Sequence, residues 1–268
     1  MTITSPHNEH LKQLRKLHRP RGRAVSGRFV AEGEDLVAAA DAAGWAALER
    51  YCAAGSGLPG TEVEPRLLDA ASTLGSGTRT LAVYEQRWAS AATGPLCVAL
   101  WGVGDPGNVG AVLRSALAFG AASVALGPGC ADPWSPKAVR ASMGAVFEVA
   151  LARVAGVDEL PGPRLALAAG WGEPLRGRLA AGSLVIGAER TGLPRELVAA
   201  CDRAVHIPIA SESLNAAMAA TVALYEVTRA TGPRGADVPE APNRDRTDAS
   251  VPPANPAEAT PAPPEASS

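Results

Sequence analysis

A glycine-rich turn follows the apolar run Leu96–Trp101. Its glycines stand at positions 102, 104 and 107, the spacing of a dinucleotide-binding turn that opens a helix. Such a turn brings helix-start amides to a phosphate. The acid that these sites use to hold a ribose is missing, because the next strand continues as Gly127-Pro128-Gly129. A nicotinamide-dependent enzyme therefore remains an alternative, but the missing acid argues against it.

Asn108 stands at the start of the predicted helix Val109–Phe119, and Arg114 follows six residues later, about two turns along. An amide, a guanidinium and exposed helix-start amides can together bind a phosphate or a ribose. The same spacing also allows Asn108 to cap the helix and Arg114 to cover a surface. Spacing alone leaves both the binding role and the structural role open.

Two later segments, Leu184–Pro194 and Ile207–Ala219, add polar residues after apolar strands. Together with Asn108–Arg114 they resemble the three ordered motifs of the SpoU (TrmH-like) family of RNA ribose methyltransferases, in the SPOUT superfamily. The likeness covers about residues 8–230 and includes the family's intermotif segment and its substrate-binding domain, in Asp132–Lys137, Arg140–Gly144, Lys12–Leu17 and Gly27–Gly33. Between Ile207 and Leu214 the chain is about two residues shorter than the family pattern and lacks its usual glycine.

The resemblance implies an α/β fold whose mostly parallel sheet carries a C-terminal trefoil knot, an exception to the rule against threaded chains. It also implies S-adenosylmethionine as methyl donor, a homodimer, and methylation of a ribose 2′-hydroxyl in structured RNA. The donor pocket is expected at Gly187, Ile207 and Leu214. The catalytic positions are expected at Arg114, Asn108, Glu189, Ser213 and Asn215.

A ribose hydroxyl is a poor nucleophile until its proton is being removed. Arginine is an awkward base, because its pKa lies above about 12 and a neighbouring phosphate raises it further. We therefore expect Arg114 to fix the RNA phosphate and to stabilise the developing alkoxide, with proton removal shared with another group or water. On residue type alone, Glu189 could instead form a salt bridge at the subunit interface, and Ser213 could cap the last helix.

The formal net charge is −2, but the basic residues are concentrated at the N-terminus, with seven against one acid up to Arg28. A local basic patch attracts phosphate more than the whole-chain sum suggests, although a solvated N-terminus would look the same. The predicted RNA contacts are Lys12, Arg15, Lys16 and Arg28, with Lys137 and Arg140 near the site. A separate N-terminal domain favours ribosomal RNA of the 23S type over transfer RNA. The other alternative is a non-catalytic RNA-binding protein that retains the fold.

Composition divides the 268 residues into three parts. We expect an RNA substrate-binding α/β domain at 1–90, a knotted methyltransferase domain at 94–230, and a disordered Pro/Ala-rich tail at 231–268, which has too few large apolar residues to form a core. The four cysteines lie far apart with no close pair, which indicates neither a zinc cluster nor a thiol redox motif, so we expect reduced structural cysteines. No apolar run reaches the roughly 20 residues of a membrane helix, so we expect a cytoplasmic protein without a membrane partner.

In the N-terminal part we expect a basic helix, then the segment Phe29–Gly33 and an Ala-rich helix at Glu34–Ala43, with short apolar stretches at Leu48–Cys52 and Leu81–Val83. After Gly94, apolar strands alternate with helices, which is typical of a mostly parallel sheet covered on both faces. The predicted strands are Leu96–Trp101, Ser123–Leu126, Ala145–Ala150, Leu165–Ala169, Ser183–Ile186 and Ala204–Ile207. The other predicted helices are Pro136–Met143, Arg195–Cys201 and Ser213–Thr228.

Overall fold

The computed structural model describes residues 2–176, 182–210 and 213–229. The predicted tail, 231–268, lies outside these residues. The described residues form a four-stranded and a seven-stranded sheet, with helices packed around them. No helix among them is both long enough and apolar enough to cross a bilayer.

The four-stranded sheet is built before Gln86, with strand order β1-β4-β2-β3. Its strands are β1 Arg28–Glu32, β2 Glu49–Ala53, β3 Thr61–Val63 and β4 Thr80–Glu85; its helices are α1 Glu9–Leu17, α2 Pro20–Ser26, α3 Glu34–Ala42 and α4 Pro65–Ala71. Helix α1 buries Leu11, Leu14 and Leu17, one apolar face at helical spacing. The predicted single basic helix is divided in two, because α2 starts at Pro20, which suits a first helical position but not a helix interior.

The seven-stranded sheet has the order β7-β6-β5-β10-β8-β11-β9, and all of its pairings are parallel. The predicted α/β class with a mostly parallel sheet is confirmed; the trefoil knot stays a prediction. The strands are β5 Cys97–Leu100, β6 Ser123–Leu126, β7 Ala150–Arg153, β8 Arg164–Leu167, β9 Glu173–Pro174, β10 Ser183–Ile186 and β11 Arg203–His206. The helices are α5 Pro106–Ala118, α6 Pro136–Ser142, α7 Arg195–Ala199 and α8 Ala216–Thr228.

The predicted strand Ala145–Ala150 is wrong. Residues Ala145–Phe147 form a short 3₁₀ helix, and β7 begins only at Ala150. The positive φ angles of Met143 (50°) and Gly144 (95°) end α6 and redirect the chain. A short buried apolar run is compatible with a buried strand and with a buried helical turn, so periodicity could not distinguish the two.

The two sheets share one hydrophobic core, which we call the aromatic junction. Phe29, Trp45 and Tyr84 from the N-terminal part pack with Trp134 and Phe147 from the second part. The rings of Phe29 and Trp134 lie 4.7 Å apart, and the indole N–H of Trp45 donates to the backbone oxygen of Phe147 over 2.7 Å. The N-terminal part is therefore fixed against the second sheet.

Two charged contacts cross the same boundary. The buried Arg23 side chain binds Asp132, with Nε to Oδ2 at 2.7 Å, and Arg140 lies 3.7 Å from the buried carboxylate of Glu32. Arg140 was predicted to contact RNA, yet in the protein its nearest acid is this buried glutamate. Both contacts reinforce the aromatic junction.

Candidate active site

The carboxyl ends of four parallel strands meet at one edge of the large sheet. Ile186 of β10 lies in register with Leu100 of β5 and Leu167 of β8, and Leu167 also pairs with Val205 of β11. The segments that follow these strands therefore emerge side by side. Open parallel sheets bind their ligands at this edge.

Asp105, and not Asn108, caps helix α5. Its carboxylate accepts hydrogen bonds from the backbone N–H groups of Gly107 (2.6 Å) and Asn108 (3.2 Å). The ammonium group of Lys137 binds the same carboxylate at 2.7 Å, which lowers the pKa of Asp105. The Asn108 side chain is left available for another role, whereas Lys137, a predicted RNA contact, already has a partner.

Glu189, Asn108 and Asn215 form one hydrogen-bonded row, here called the polar row. The amide of Asn108 donates from Nδ2 to Glu189 Oε1 at 2.5 Å, and its oxygen accepts from Asn215 Nδ2 at 3.0 Å. The oxygen of Asn215 in turn caps α8 by accepting from the N–H groups of Ala217 and Met218. Three of the five residues predicted as catalytic are thus brought together from three separate segments.

Arg114 does not join the polar row. Six residues along α5 turn its side chain about 120° away from that of Asn108. The side chain is exposed, and within residues 2–176, 182–210 and 213–229 it has no hydrogen-bond or ion-pair partner. Its face of α5 also carries Ala111, Ala118 and the exposed Leu117, so the guanidinium projects from a mostly apolar surface.

A cavity of about 800 Å³ adjoins the polar row, and Gly187, Ile207 and Leu214 all line it, together with Glu189 and Ser213. The structure therefore places the three predicted cofactor contacts around one space, whose size is typical of small-molecule sites (about 300–1,000 Å³). Ser213 does not cap α8, since Asn215 does. The shortened loop includes positions 211 and 212, which lie outside the described residues.

Gly187 is required by the chain's own backbone. A Cβ atom there would lie 2.4 Å from the carbonyl carbon of Gly192 and 2.5 Å from the nitrogen of Leu193. The loop folds back this closely because the Gly192 N–H donates to the oxygen of Ala188 at 2.9 Å. Any side chain at Gly187 would push this wall of the cavity outward.

Sequence reasoning missed Trp171 and His206, which line the same cavity. The Trp171 side chain is 50% exposed, and both flanking glycines have positive φ angles (74° and 89°). His206 Nδ1 lies 3.1 Å from the backbone oxygen of Gly172 and supports this turn. The available signal was a tryptophan between two glycines, just past the carboxyl end of β8.

A shallower cavity of about 540 Å³ is lined by all three members of the polar row and by Gly102, Gly104 and Asp105. Asp105 is neutralised by Lys137. Within the described lining of the two cavities, Glu189 is therefore the carboxylate without a cationic partner. A polar substrate group entering here would meet an acceptor whose position is set by Asn108.

The six predicted RNA contacts fall into two groups. Protein partners already engage four of them, namely Lys12, Arg15, Lys137 and Arg140. Lys16 and Arg28 are exposed, and the described part of the chain offers their side chains neither an ion pair nor a hydrogen bond. The cysteines are free thiols, and a search of the described residues finds no metal-binding group of histidine, cysteine and acidic side chains.

Residues 95–225 match the family described as SpoU rRNA Methylase, and residues 8–92 match the MRM3-like substrate binding domain. The 23S rRNA (guanosine(2553)-2'-O)-methyltransferase RlmP of Bacillus subtilis is 30% identical over 246 residues, covering 84% of this chain and 98% of that protein. The AdoMet-bound rRNA methyltransferase structure from Sinorhizobium meliloti is 28% identical with a TM-score of 0.76, covering 86% of this chain and 98% of its own.

A third relative is longer. A protein of Syntrophobacter fumaroxidans named ribosomal RNA small subunit methyltransferase G 2 is 34% identical over 246 residues, or 85% of this chain. The chain spans only about half of that relative (49%). Similarity therefore extends over both described sheets, while some relatives carry additional sequence.

Proposed function

Because the chain belongs to the SpoU rRNA methylase family, we propose that it transfers a methyl group from S-adenosylmethionine to a ribose 2′-hydroxyl of ribosomal RNA. The observation that carries this proposal is the polar row beside the 800 Å³ cavity. This arrangement places a carboxylate and two amides next to a space large enough for a nucleoside-sized ligand.

The cavity suits S-adenosylmethionine. Ile207 and Leu214 offer apolar surface to an adenine ring, and the glycine at Gly187 keeps the backbone wall close. When bound, the donor supplies an electrophilic methyl group on a sulfonium cation. Trp171 offers an aromatic face within the same space, a surface that attracts cations.

The polar row is suited to act on the acceptor hydroxyl. We assign proton acceptance to Glu189, whose carboxylate is oriented by the Asn108 amide and has no cationic partner within the described cavity linings. Asn215 fixes the other side of Asn108 and so sets the amide orientation. Arg114 is assigned to the RNA phosphate and the developing alkoxide, where a planar guanidinium gives two parallel hydrogen bonds.

The position of Arg114 supports a homodimer in which this residue serves the partner subunit's site. Met218, Val222 and Tyr225 form an apolar stripe on α8 at helical spacing, and they are 61%, 41% and 56% exposed. Helix α5, which carries Arg114, packs against α8 and is tied to it by the Ser115–Thr221 hydroxyl pair. A two-fold axis through this stripe would cover the apolar surface and carry Arg114 towards the other chain.

Ribosomal RNA of the 23S type is the favoured substrate, because RlmP carries that activity in its name and is matched over nearly its whole length. Transfer RNA is the second candidate substrate within the same chemistry. The N-terminal part, residues 1–90, is assigned to substrate binding and 94–230 to methyl transfer, in keeping with the two family matches.

The test is transfer of radiolabelled methyl from S-adenosylmethionine to unmodified 23S ribosomal RNA and to transfer RNA, with wild-type and Arg114→Ala proteins compared. We expect label in the ribosomal RNA, lost in the variant, and an alkali-resistant linkage at the modified nucleotide. Binding of RNA without any transfer by the wild-type dimer would favour a non-catalytic RNA-binding protein and overturn the proposal.

A further inference from the structure

A cleft of about 490 Å³ opens in the N-terminal part, between α1, α2 and the strands β2 and β4. Its lining includes four apolar residues, Leu14, Leu17, Val25 and Val83, of which Leu14, Leu17 and Val83 are largely buried and Val25 is exposed. Val25 is 83% exposed, because nothing in the described residues covers its side chain. An aliphatic side chain left in water does not contribute the free energy that its burial would supply. The cleft lies on a different sheet from the polar row.

Four basic side chains, Lys16, Arg19, Arg21 and Arg28, also line this cleft. All four are exposed, and the structure records no hydrogen bond or ion pair for their side chains within the described ranges. The nearby Arg23 differs, because it is buried against Asp132. Unpaired cations around a concave surface attract phosphate groups.

One carboxylate, that of Glu49, lies in the same lining. Its Oε2 atom accepts from the Tyr51 hydroxyl and lies 3.2 Å from His10 Nδ1. Both contacts use the same oxygen, which leaves Oε1 directed to neither. A carboxylate oxygen in such a place accepts hydrogen bonds from amino groups on a base edge.

We propose that this cleft binds one unpaired nucleotide of the RNA substrate, with the base against the apolar walls and the flanking phosphates on Lys16, Arg19, Arg21 and Arg28. The inference rests on the proposed function, because it takes RNA to be the substrate. A paired base cannot enter, since its edge and faces are occupied within the helix. Glu49 favours bases that carry amino donors, namely adenine, guanine and cytosine, over uracil.

The aromatic junction and the Arg23–Asp132 pair hold this cleft at a fixed separation from the polar row. An RNA is therefore methylated only where it presents an unpaired base at the cleft and a reactive ribose at the polar row together. The cleft thus contributes to the choice of nucleotide without touching the reacting atoms.

The test measures binding of fluorescein-labelled RNA pentanucleotides and of a short blunt RNA duplex to the full-length protein, by anisotropy over a range of salt concentrations. Val25→Asp is expected to weaken pentanucleotide binding by about tenfold and to leave duplex binding within about twofold. Combined replacement of Arg19, Arg21 and Arg28 by alanine should flatten the salt dependence by about two units, since each single-strand contact contributes about 0.7. Arg66→Ala, an exposed arginine on α4 outside the cleft, is the matched control and should bind like wild type.

Glu49→Gln should reduce the preference for pentanucleotides of adenine, guanine or cytosine over oligouridine by about threefold. Wild-type binding by Val25→Asp, or equal losses for pentanucleotide and duplex, would overturn the inference. If the wild-type protein transfers methyl groups while Val25→Asp binds normally, the proposed function stands and the cleft assignment falls. If no transfer occurs but Val25→Asp selectively loses the pentanucleotides, the cleft assignment stands and the proposed function falls.

Discussion

Asn108 donates a hydrogen bond from its side-chain amide to Glu189, which lies 81 residues further along the chain. The bond joins the first turn of α5 to the loop after β10, and Asn215 completes it from the cap of α8. With an acceptor on one side and a donor on the other, the Asn108 amide has one orientation that satisfies both neighbours. Three parallel-sheet segments are thereby locked around a single carboxylate.

Replacing Glu189 by glutamine tests its assigned role as proton acceptor. The amide oxygen of glutamine can still accept the Asn108 hydrogen bond, so we expect the fold and the donor affinity to survive. Single-turnover methyl transfer should fall by about a hundredfold, a usual contribution of a positioned base. Donor affinity by calorimetry is the control, and near-normal turnover would remove Glu189 from this role.

Mixing two inactive variants tests whether Arg114 serves the partner subunit. In a heterodimer of Arg114→Ala with Glu189→Gln, one site receives both native residues and the other receives neither. Co-expression should therefore restore about a quarter of wild-type activity, from half the dimers with half their sites intact. Activity no higher than the sum of the two separate variants would place Arg114 in its own subunit's site.

The apolar stripe on α8 predicts the oligomeric state. Val222→Asp puts a charge in the centre of the stripe and should prevent the proposed dimer from forming, seen as half the wild-type mass in light scattering, because burying an unpaired carboxylate is unfavourable. Leu74→Asp is the matched control, since Leu74 is 41% exposed on the N-terminal part, away from α8. A dimer that persists in Val222→Asp, or a wild-type monomer, would contradict this interface.

The half-exposed Trp171 should contact the bound donor. We expect Trp171→Ala to weaken S-adenosylmethionine binding by about tenfold and Trp171→Phe by only about twofold, because phenylalanine retains an aromatic face. S-adenosylhomocysteine lacks the sulfonium charge and should lose less affinity in Trp171→Ala. If Trp171→Ala lost the same affinity for both ligands in calorimetry, the indole would provide only apolar contact and no interaction with the sulfonium charge.

The surroundings of Glu32 predict that the stability of the folded protein depends on pH. Burial opposes its ionisation, but the nearby His18 ring and the hydrogen bonds from Thr73 outweigh it and lower the pKa below the ordinary value of 4.5. Because the pKa of Glu32 is lower in the folded state, the ionised carboxylate stabilises the fold at pH values above the ordinary pKa. This stability is lost as the pH falls through the lowered pKa of the folded state. Glu32→Gln should therefore reduce the free energy of unfolding by about 1–3 kcal/mol at neutral pH.

The same substitution should have a smaller effect under acid conditions, because the wild-type carboxyl group is then protonated as well. Urea unfolding at neutral pH and below pH about 4 measures the difference. Thr61→Ser, an exposed change in β3, is the control and should be neutral at both pH values. A constant difference between wild type and Glu32→Gln would contradict the pKa argument.

Strands β6 and β10 have the bounds that the sequence predicts, because fully buried parallel strands appear as short continuous apolar runs. The resemblance to the family motifs also predicts all three members of the polar row as site residues. Helix starts were less accurate: α5 begins at Pro106 and α8 at Ala216, since the caps are Asp105 and Asn215.

Long-range pairs could not be predicted from spacing. The partner of Lys137 lies 32 residues away, and the partner of Arg23 lies 109 residues away. Whether a basic residue faces solvent or pairs with an acid of the protein depends on which elements the fold brings together, and residue type does not show that. Trp171 was missed for a similar reason, because the wall it belongs to is formed by several separate loops.

The aromatic junction also limits how this protein can be recombined with its relatives. Phe29 and Trp45 pack against Trp134 and Phe147, so exchanging the N-terminal part alone would remove one side of this shared core. A chimera that took residues 1–90 from a relative with other side chains at these positions would leave Trp134 and Phe147 without the rings that they contact here. Altering substrate choice by grafting would therefore require Trp134 and Phe147 to be transplanted with the domain that they contact.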